Sequence, residues 1–398
     1  MSNLKTLLAT LCLGFAMTAS AQQTVTIKGK VKFIEPDFTV KVYQYSGTDK
    51  KVLAETPVNA DHSYTLSVPV EKAGDAVVDC GGWQAVDVWL EDENMDIDFR
   101  GLDTAKIKIK NPPYVYIRAG KKNELMNLVN FHAYRSYQTM IAISQNVYKA
   151  KIEDQKKSQQ LAMSLYDASG EDSDAWMRYL TEHYSDLTSV LVPLSRLDEE
   201  KDADIINAAL ARLESTSATA KQLVADFRKA RAEAKEKRER MKEGKPAPEF
   251  TFQNVKGKTV SLSKLKGKVI VLDFWASWCG PCRQEIPHLK KYYEEFKGKG
   301  VEFLSVSIDA KKEAWTKAMM EEGMAWMQGW APDAGKMVMD TYQFGGIPFI
   351  ILIDKAGNIY RKNLRGEGVK KAIEDCLAGK PVQAPKVIGG MGMMGAAM

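Results

Sequence analysis

The run Val269-Ile270-Val271-Leu272-Asp273-Phe274-Trp275-Ala276-Ser277-Trp278-Cys279-Gly280-Pro281-Cys282 constrains this chain most, because it reads as a buried strand delivering two cysteines to the start of a helix. A Cys-x-x-Cys pair directly after an apolar strand, with strands and helices alternating around it, is the layout of a dithiol redox site. A thiolate rather than a thiol attacks a disulfide, so a working cysteine needs a lowered pKa and an exposed sulfur. The start of a helix offers unpaired N–H groups and the positive end of the helix dipole, and Trp278 and Pro281 would flank it with flat apolar surface. Cys279 is therefore the expected nucleophile. Cys282, one turn further in, is the expected resolving sulfur.

Asp273 stands near the end of the same apolar strand, where an ionised carboxylate is costly and its pKa should rise. It is the expected general base for the Cys282 proton, acting through a water. The plainer alternative is an acid paired with a lysine or open to solvent. Gly346-Ile347-Pro348 precedes another apolar run, Phe349 to Ile353, which places a proline at a strand's first residue. A trans peptide is the default there, and Pro287 should kink the helix that begins at Cys279.

A chain of 398 residues implies two or three compact units. Its 56 basic and 51 acidic residues are too balanced for a nucleic-acid footprint. Lys5, an apolar stretch from Leu7 to Met17 and Ala19-Ser20-Ala21 read as a secretory signal cleaved near Ala21, so a periplasmic or otherwise exported mature protein is expected. That stretch is too short to span a bilayer, and none later reaches the roughly 20 apolar residues a span needs. Cys12 could mark a lipid anchor, but Leu11 sits where such signals carry a small residue. Cys80 and Cys376 are expected to be small buried residues, and bridging them would require the first and last domains to meet.

The expected fold class is multidomain α+β. Residues 22–117 alternate in short β-rich runs and suggest an antiparallel sandwich, and 118–243 carry helical periodicity. Gly244-Lys245-Pro246-Ala247-Pro248 breaks that periodicity and opens an α/β module over 244–380. Within the module, strands are expected at Val301 to Ile308, Phe349 to Ile353 and Ile359 to Leu364. Helices are expected near Cys279 to Phe296, Lys311 to Glu322, Asp333 to Tyr342 and Glu367 to Leu377. Residues 381–398 form a Gly- and Met-rich tail expected to be disordered.

Trp275 to Cys282, Pro287 five residues on and the Gly-Ile-Pro348 turn together resemble thioredoxins. The lead-in Gly244 to Phe250, Ser261-Leu262-Ser263-Lys264-Leu265-Lys266-Gly267-Lys268 and Glu285-Ile286-Pro287-His288-Leu289 are similar to the exported TlpA/ResA-like branch, over about Lys245 to Leu377. The resemblance implies a C-terminal thioredoxin fold with Cys279 attacking, Cys282 resolving and Asp273 accepting a proton. It also implies that Pro348 is a cis-proline facing the disulfide, and that Trp278, Gly280, Pro281, Ile347 and Pro348 form a substrate groove. Many members of the branch carry Asn at the Asp273 position, so here the chain is nearer to ordinary thioredoxin, as is its Gly280-Pro281 dipeptide. Partners implied are disulfide-containing proteins and an electron donor, and no cofactor is called for. The N-terminal β region resembles poorly characterised modules ahead of such domains and implies no activity.

Zinc would need four ligands, and neither a second Cys-x-x-Cys nor a His cluster is present. A peroxidase of this fold would want a Pro-x-x-x-Thr-x-x-Cys setting, which the motif lacks. Met391, Met393, Met394 and Met398 are soft donors for Cu(I), but flexible methionines without His or Cys make a poor site. An alternative of another class is a redox-linked adaptor whose N-terminal domains bind a partner. Phe131, Tyr134, Tyr137 and Tyr148 could serve that interface, although aromatics at helical spacing are expected in the core.

Overall fold

The computed structural model describes residues 23–46, 49–102, 113–150 and 154–382. The expected signal, Cys12 and the methionines of the tail lie outside the described residues. The chain divides into two compact units, Met1–Lys221 and Gln222–Met398. No helix of the described residues is long and apolar enough to cross a membrane.

The first unit opens with β1 (Thr24–Phe33), β2 (Thr39–Ser46), β3 (Asp49–Pro57), β4 (Ser63–Pro69), β5 (Gly74–Cys80) and β6 (Gln84–Leu90). Three short strands follow, β7 (Met95–Ile97), β8 (Phe99–Gly101) and β9 (Ile117–Arg118). They form one sheet in the order β4-β1-β7-β9, with β8 also on β1, and another in the order β3-β2-β5-β6. Every second residue is buried, as in Val25 and Ile27, Tyr64, Leu66 and Val68, or Val86 and Val88, which is the period of half-buried strands. The antiparallel expectation needs one correction. β1 runs parallel to β7, with Ile27 opposite Met95, and to β8, with Val31 opposite Phe99. Parallel neighbours need a long crossover, and here the five strands β2 to β6, which lie between β1 and β7, provide it.

Helices α1 (Lys121–Ile143), α2 (Gln155–His183), α3 (Leu191–Ser195), α4 (Ala203–Glu214) and α5 (Ala218–Arg240) follow, and the division between the units falls early in α5. Two buried asparagines one turn apart pin α1 to the strands. Asn123 accepts from the Trp89 N–H at 2.9 Å and donates to the Trp89 carbonyl at 3.0 Å. Asn127 does the same for Ile117, at 2.9 and 2.8 Å. Each amide thus supplies the donor and acceptor that a further strand would have offered. The aromatics of α1 and the turn after it correct a second expectation, because Phe131, Tyr137 and Tyr148 are exposed. The buried stripe runs instead through Leu125, Met126, Val129, Ser136 and Ile143, and steps of three from Phe131 drift off it.

The second unit contains β10 (Thr251–Asn254), β11 (Thr259–Ser261), β12 (Val269–Trp275), α6 (Gly280–Phe296), β13 (Val301–Ser307) and α7 (Lys312–Glu321). It continues with β14 (Met327–Trp330), α8 (Lys336–Tyr342), β15 (Phe349–Ile353), β16 (Ile359–Arg361) and α9 (Glu367–Leu377). Its sheet runs β11-β10-β14-β13-β12-β15-β16. Strand β12 lies parallel to β13 and antiparallel to β15, and all its residues are buried, which is why it reads as an unbroken apolar run. This is the thioredoxin-like arrangement the resemblance implies. The lead-in lies along β16: Gly244 N–H donates to Ile359 O at 2.7 Å and Ala247 N–H to Gly357 O at 2.9 Å, while Glu243 pairs with Arg361 at 2.7 Å. Cys80 is buried and its thiol is pushed up to about 12 by burial, while half-buried Cys376 is pushed up to about 11 for the same reason. Both are free thiols.

Replacing Asn123 by Ala strands a buried N–H and a buried carbonyl on Trp89, so the first unit should lose roughly 2–4 kcal/mol of unfolding free energy. Chemical denaturation followed by circular dichroism measures the loss, and a stability within about 0.5 kcal/mol of wild type would show that the strand groups find other partners.

Candidate active site

Strand β12 ends at Trp275, and four residues later Cys279 caps α6. Cys279 takes an extended conformation, and its Sγ accepts from the Cys282 N–H at 3.2 Å. That is the geometry of an N-cap, with sulfur in place of the usual oxygen. Gly280 and Pro281 occupy the first two helical positions, where a missing N–H costs nothing. Pro287 is accommodated inside α6, whose buried stripe of Cys282, Ile286, Leu289, Tyr292 and Phe296 ties the helix to the sheet.

Cys279 and Cys282 are joined as a disulfide. The expectation of an exposed sulfur meets a difference here: Cys279 is 4% exposed, against 2% for Cys282. The loop before β15 explains it, since Ile347 brings its carbonyl to 3.7 Å from the Cys279 Sγ. The Ile347–Pro348 peptide is cis, as the resemblance implies and against the trans default. Of the expected groove residues, Trp278 is 68% exposed, Gly280 and Pro281 are exposed, Ile347 is half-buried and Pro348 is buried. Of these residues, Trp278, Gly280 and Pro281 are the exposed ones.

A buried carboxylate that sequence reasoning did not single out holds the loop between strand and helix. Asp309, 1% exposed, accepts from the Ser277 N–H at 2.9 Å and the Ser277 hydroxyl at 2.7 Å, and from the Ser307 hydroxyl at 2.7 Å. The carbonyl of Asp309 in turn accepts from the Trp330 indole at 2.7 Å. Only the strand register, which places Ser307 beside Trp330 and Trp275, brings these groups together.

Asp273 is 3% exposed, and its hydrogen-bond partner is Ser305, whose hydroxyl donates to Oδ2 at 2.9 Å. A serine thus stands where the plainer alternative had a lysine. Burial pushes the Asp273 carboxyl up to about 7, against the Ser305 hydrogen bond and the charge of Arg365, with Glu285 adding to the rise. Glu285 lies three residues after Cys282 on α6 and accepts from the Gly366 N–H at 2.9 Å. A carboxyl poised near neutrality can hold a proton at one stage of a reaction and release it at another.

The raised pKa has a consequence for folding. The folded chain keeps the Asp273 proton between about pH 4 and 7 where the unfolded chain has released it, so this contribution to stability is complete at low pH and is lost as pH rises through about 7. Asp273→Asn should therefore match wild type near pH 4 and exceed it at pH 8, by up to about 3–4 kcal/mol. Thermal unfolding of the oxidised protein at both values measures this, and equal stability at pH 8 would mean that the carboxylate is ionised at little cost.

The C-terminal sequence has known relatives. The family Redoxin matches residues 242–376. The thiol-disulfide oxidoreductase ResA of Bacillus anthracis is 35% identical over 140 residues, which cover 35% of this chain and 79% of that protein. ResA of Bacillus subtilis (strain 168) is 34% identical over 124 residues, covering 31% of this chain and 68% of that protein. Among solved structures, the thioredoxin domain of a thiol-disulfide oxidoreductase from Bacteroides vulgatus has a TM-score of 0.33 at 39% identity and covers 34% of this chain and 96% of that one. A thiol:disulfide interchange protein from Bacteroides sp. has a TM-score of 0.33 at 40% identity and covers 35% and 91%.

Proposed function

Because the chain belongs to the ResA-like branch of the redoxin family of thiol-disulfide oxidoreductases, we propose that it is exported and reduces protein disulfides through Cys279 and Cys282. The observation that carries this reading is the closed Cys279–Cys282 disulfide at the N-terminus of α6, where the Cys282 N–H reaches the Cys279 sulfur. In the reduced protein the same N–H and the helix dipole favour the Cys279 thiolate. That thiolate attacks one sulfur of a substrate disulfide, forms a mixed disulfide and expels a substrate thiolate. Asp273 then takes the proton of Cys282, which attacks the Cys279 sulfur and expels the second substrate thiolate. Two electrons have passed to the substrate, and the protein is left in the oxidised state of this structure. An electron donor must return them.

Trp278, Gly280, Pro281, Ile347 and Pro348 form the proposed substrate groove, and 244–380 is the proposed extent of the redox module. A secretory signal ending near Ala21 would set the compartment, in which substrate disulfides form and persist. A second reading draws on the exposed Phe131, Tyr137 and Tyr148: residues 22–243 would hold a partner for the redox module to act on. Serine at both cysteines would then abolish reduction and leave partner binding intact.

Cys282→Ser should accumulate a mixed disulfide with a disulfide-containing protein such as insulin, visible as a mass adduct on Cys279. Cys279→Ser should form none and should reduce insulin at least about a hundredfold more slowly than wild type. Adducts on Cys282 in the Cys279→Ser protein, with reduction retained, would reverse the two roles.

A further inference from the structure

The Ser305 hydroxyl that bonds Asp273 is itself held by a donor. The indole Nε1 of Trp326 lies 2.9 Å from Ser305 Oγ, and both side chains are buried. An indole nitrogen only donates, so it occupies a lone pair of the serine oxygen. The single hydrogen of the hydroxyl is left to point at Asp273 Oδ2. The chain Trp326–Ser305–Asp273 therefore runs one way, with every hydrogen directed at the carboxyl. Tyr293 and Phe303 pack against the Trp326 ring and hold its donor in place.

We infer that Ser305, its hydroxyl aimed by Trp326, is a positioning residue for proton transfer at Asp273: it keeps Oδ2 as a fixed acceptor and leaves Oδ1 to take the proton. The strand register requires this placement. Asp273 on β12 lies directly opposite Ser305 on β13, and Ser305 opposite Gln328 on β14, so the three side chains form one row on one face of the sheet. On its other side Asp273 is opposite Ile350 of β15, which offers no polar group. Cys282 and Glu285 come from α6, and Arg365 stands just before α9, whose buried residues Val369, Ala372 and Ile373 are apolar. Glu285 and Arg365 act on Asp273 through charge, whereas Ser305 makes a hydrogen bond to it and so distinguishes its two oxygens.

This inference rests on the proposal that Asp273 accepts the Cys282 proton, so the test reads the carboxyl separately from catalysis. Aspartate labelled with ¹³C at the carboxyl carbon is titrated by NMR in the oxidised full-length protein, and the Asp273 signal is identified by its loss in Asp273→Asn. Ser305→Ala should raise the midpoint by roughly one pH unit, the size expected for a hydrogen bond that favours the carboxylate. Trp326→Phe, which keeps the packing ring, should raise it by less, and Ser305→Thr, which keeps the hydroxyl, should restore the wild-type value. An unmoved midpoint in both Ser305→Ala and Trp326→Phe would overturn the inference, as would an equal shift in Ser305→Thr and Ser305→Ala. The pH profile of mixed-disulfide resolution is then recorded for Ser305→Ala. A raised carboxyl midpoint with an unmoved kinetic profile would sustain the tuning of Asp273 by Ser305 and refute Asp273 as the acceptor.

Discussion

Covering β12 on both faces is the constraint on which the rest of the site depends. With β13 on one edge, β15 on the other and every residue buried, the strand has no route to water. Its end is therefore fixed in space, and α6 must begin within a few residues of it. That proximity places the Cys279 sulfur over the first free N–H groups of the helix. It also isolates Asp273, whose carboxyl finds a serine from the next strand where solvent would otherwise be. The capped Cys279 sulfur and a carboxyl near neutrality are thus two results of one buried strand meeting one helix end.

The Gly280-Pro281 turn bears on the proposed direction of electron flow. Pro281 has no N–H to offer the sulfur, and the hydrogen bond at Cys279 comes from Cys282 alone among the described residues. Neither residue between the cysteines carries a charge. In general a weakly stabilised reduced form makes the stronger reductant, which is the direction proposed above. The same turn lies beside exposed Trp278.

Local features were the legible ones. The apolar runs into Cys279 and from Phe349 to Ile353 mark strands by themselves, and the helix Glu367–Leu377 has the expected limits. Strand β14 went unread because Met327-Gln328-Gly329-Trp330 is short and mixed. Gly329 is required there because a Cβ would lie 2.4 Å from the Phe252 ring, and that constraint exists only in the folded sheet. The parallel pairing of β1 with β7 and β8, the peptide-like bonds of Asn123 and Asn127, and the exposed aromatics of α1 also depend on long-range packing. At the site, Cys279, Cys282 and Asp273 could be read from one strand and one turn. Ser305, Asp309 and Trp326 could not, because register alone brings them to the motif. Polar Ser305 and Ser307 inside the apolar run Val301 to Ile308 were the available signal.

The reduction potential of the Cys279–Cys282 pair tests the central claim most directly. Equilibration of the protein against a thiol buffer, followed by tryptophan fluorescence or thiol alkylation, gives it. A reductant predicts a value near that of thioredoxin, about −270 mV. A value between about −180 and −120 mV, where isomerases and strong oxidants lie, would contradict the account.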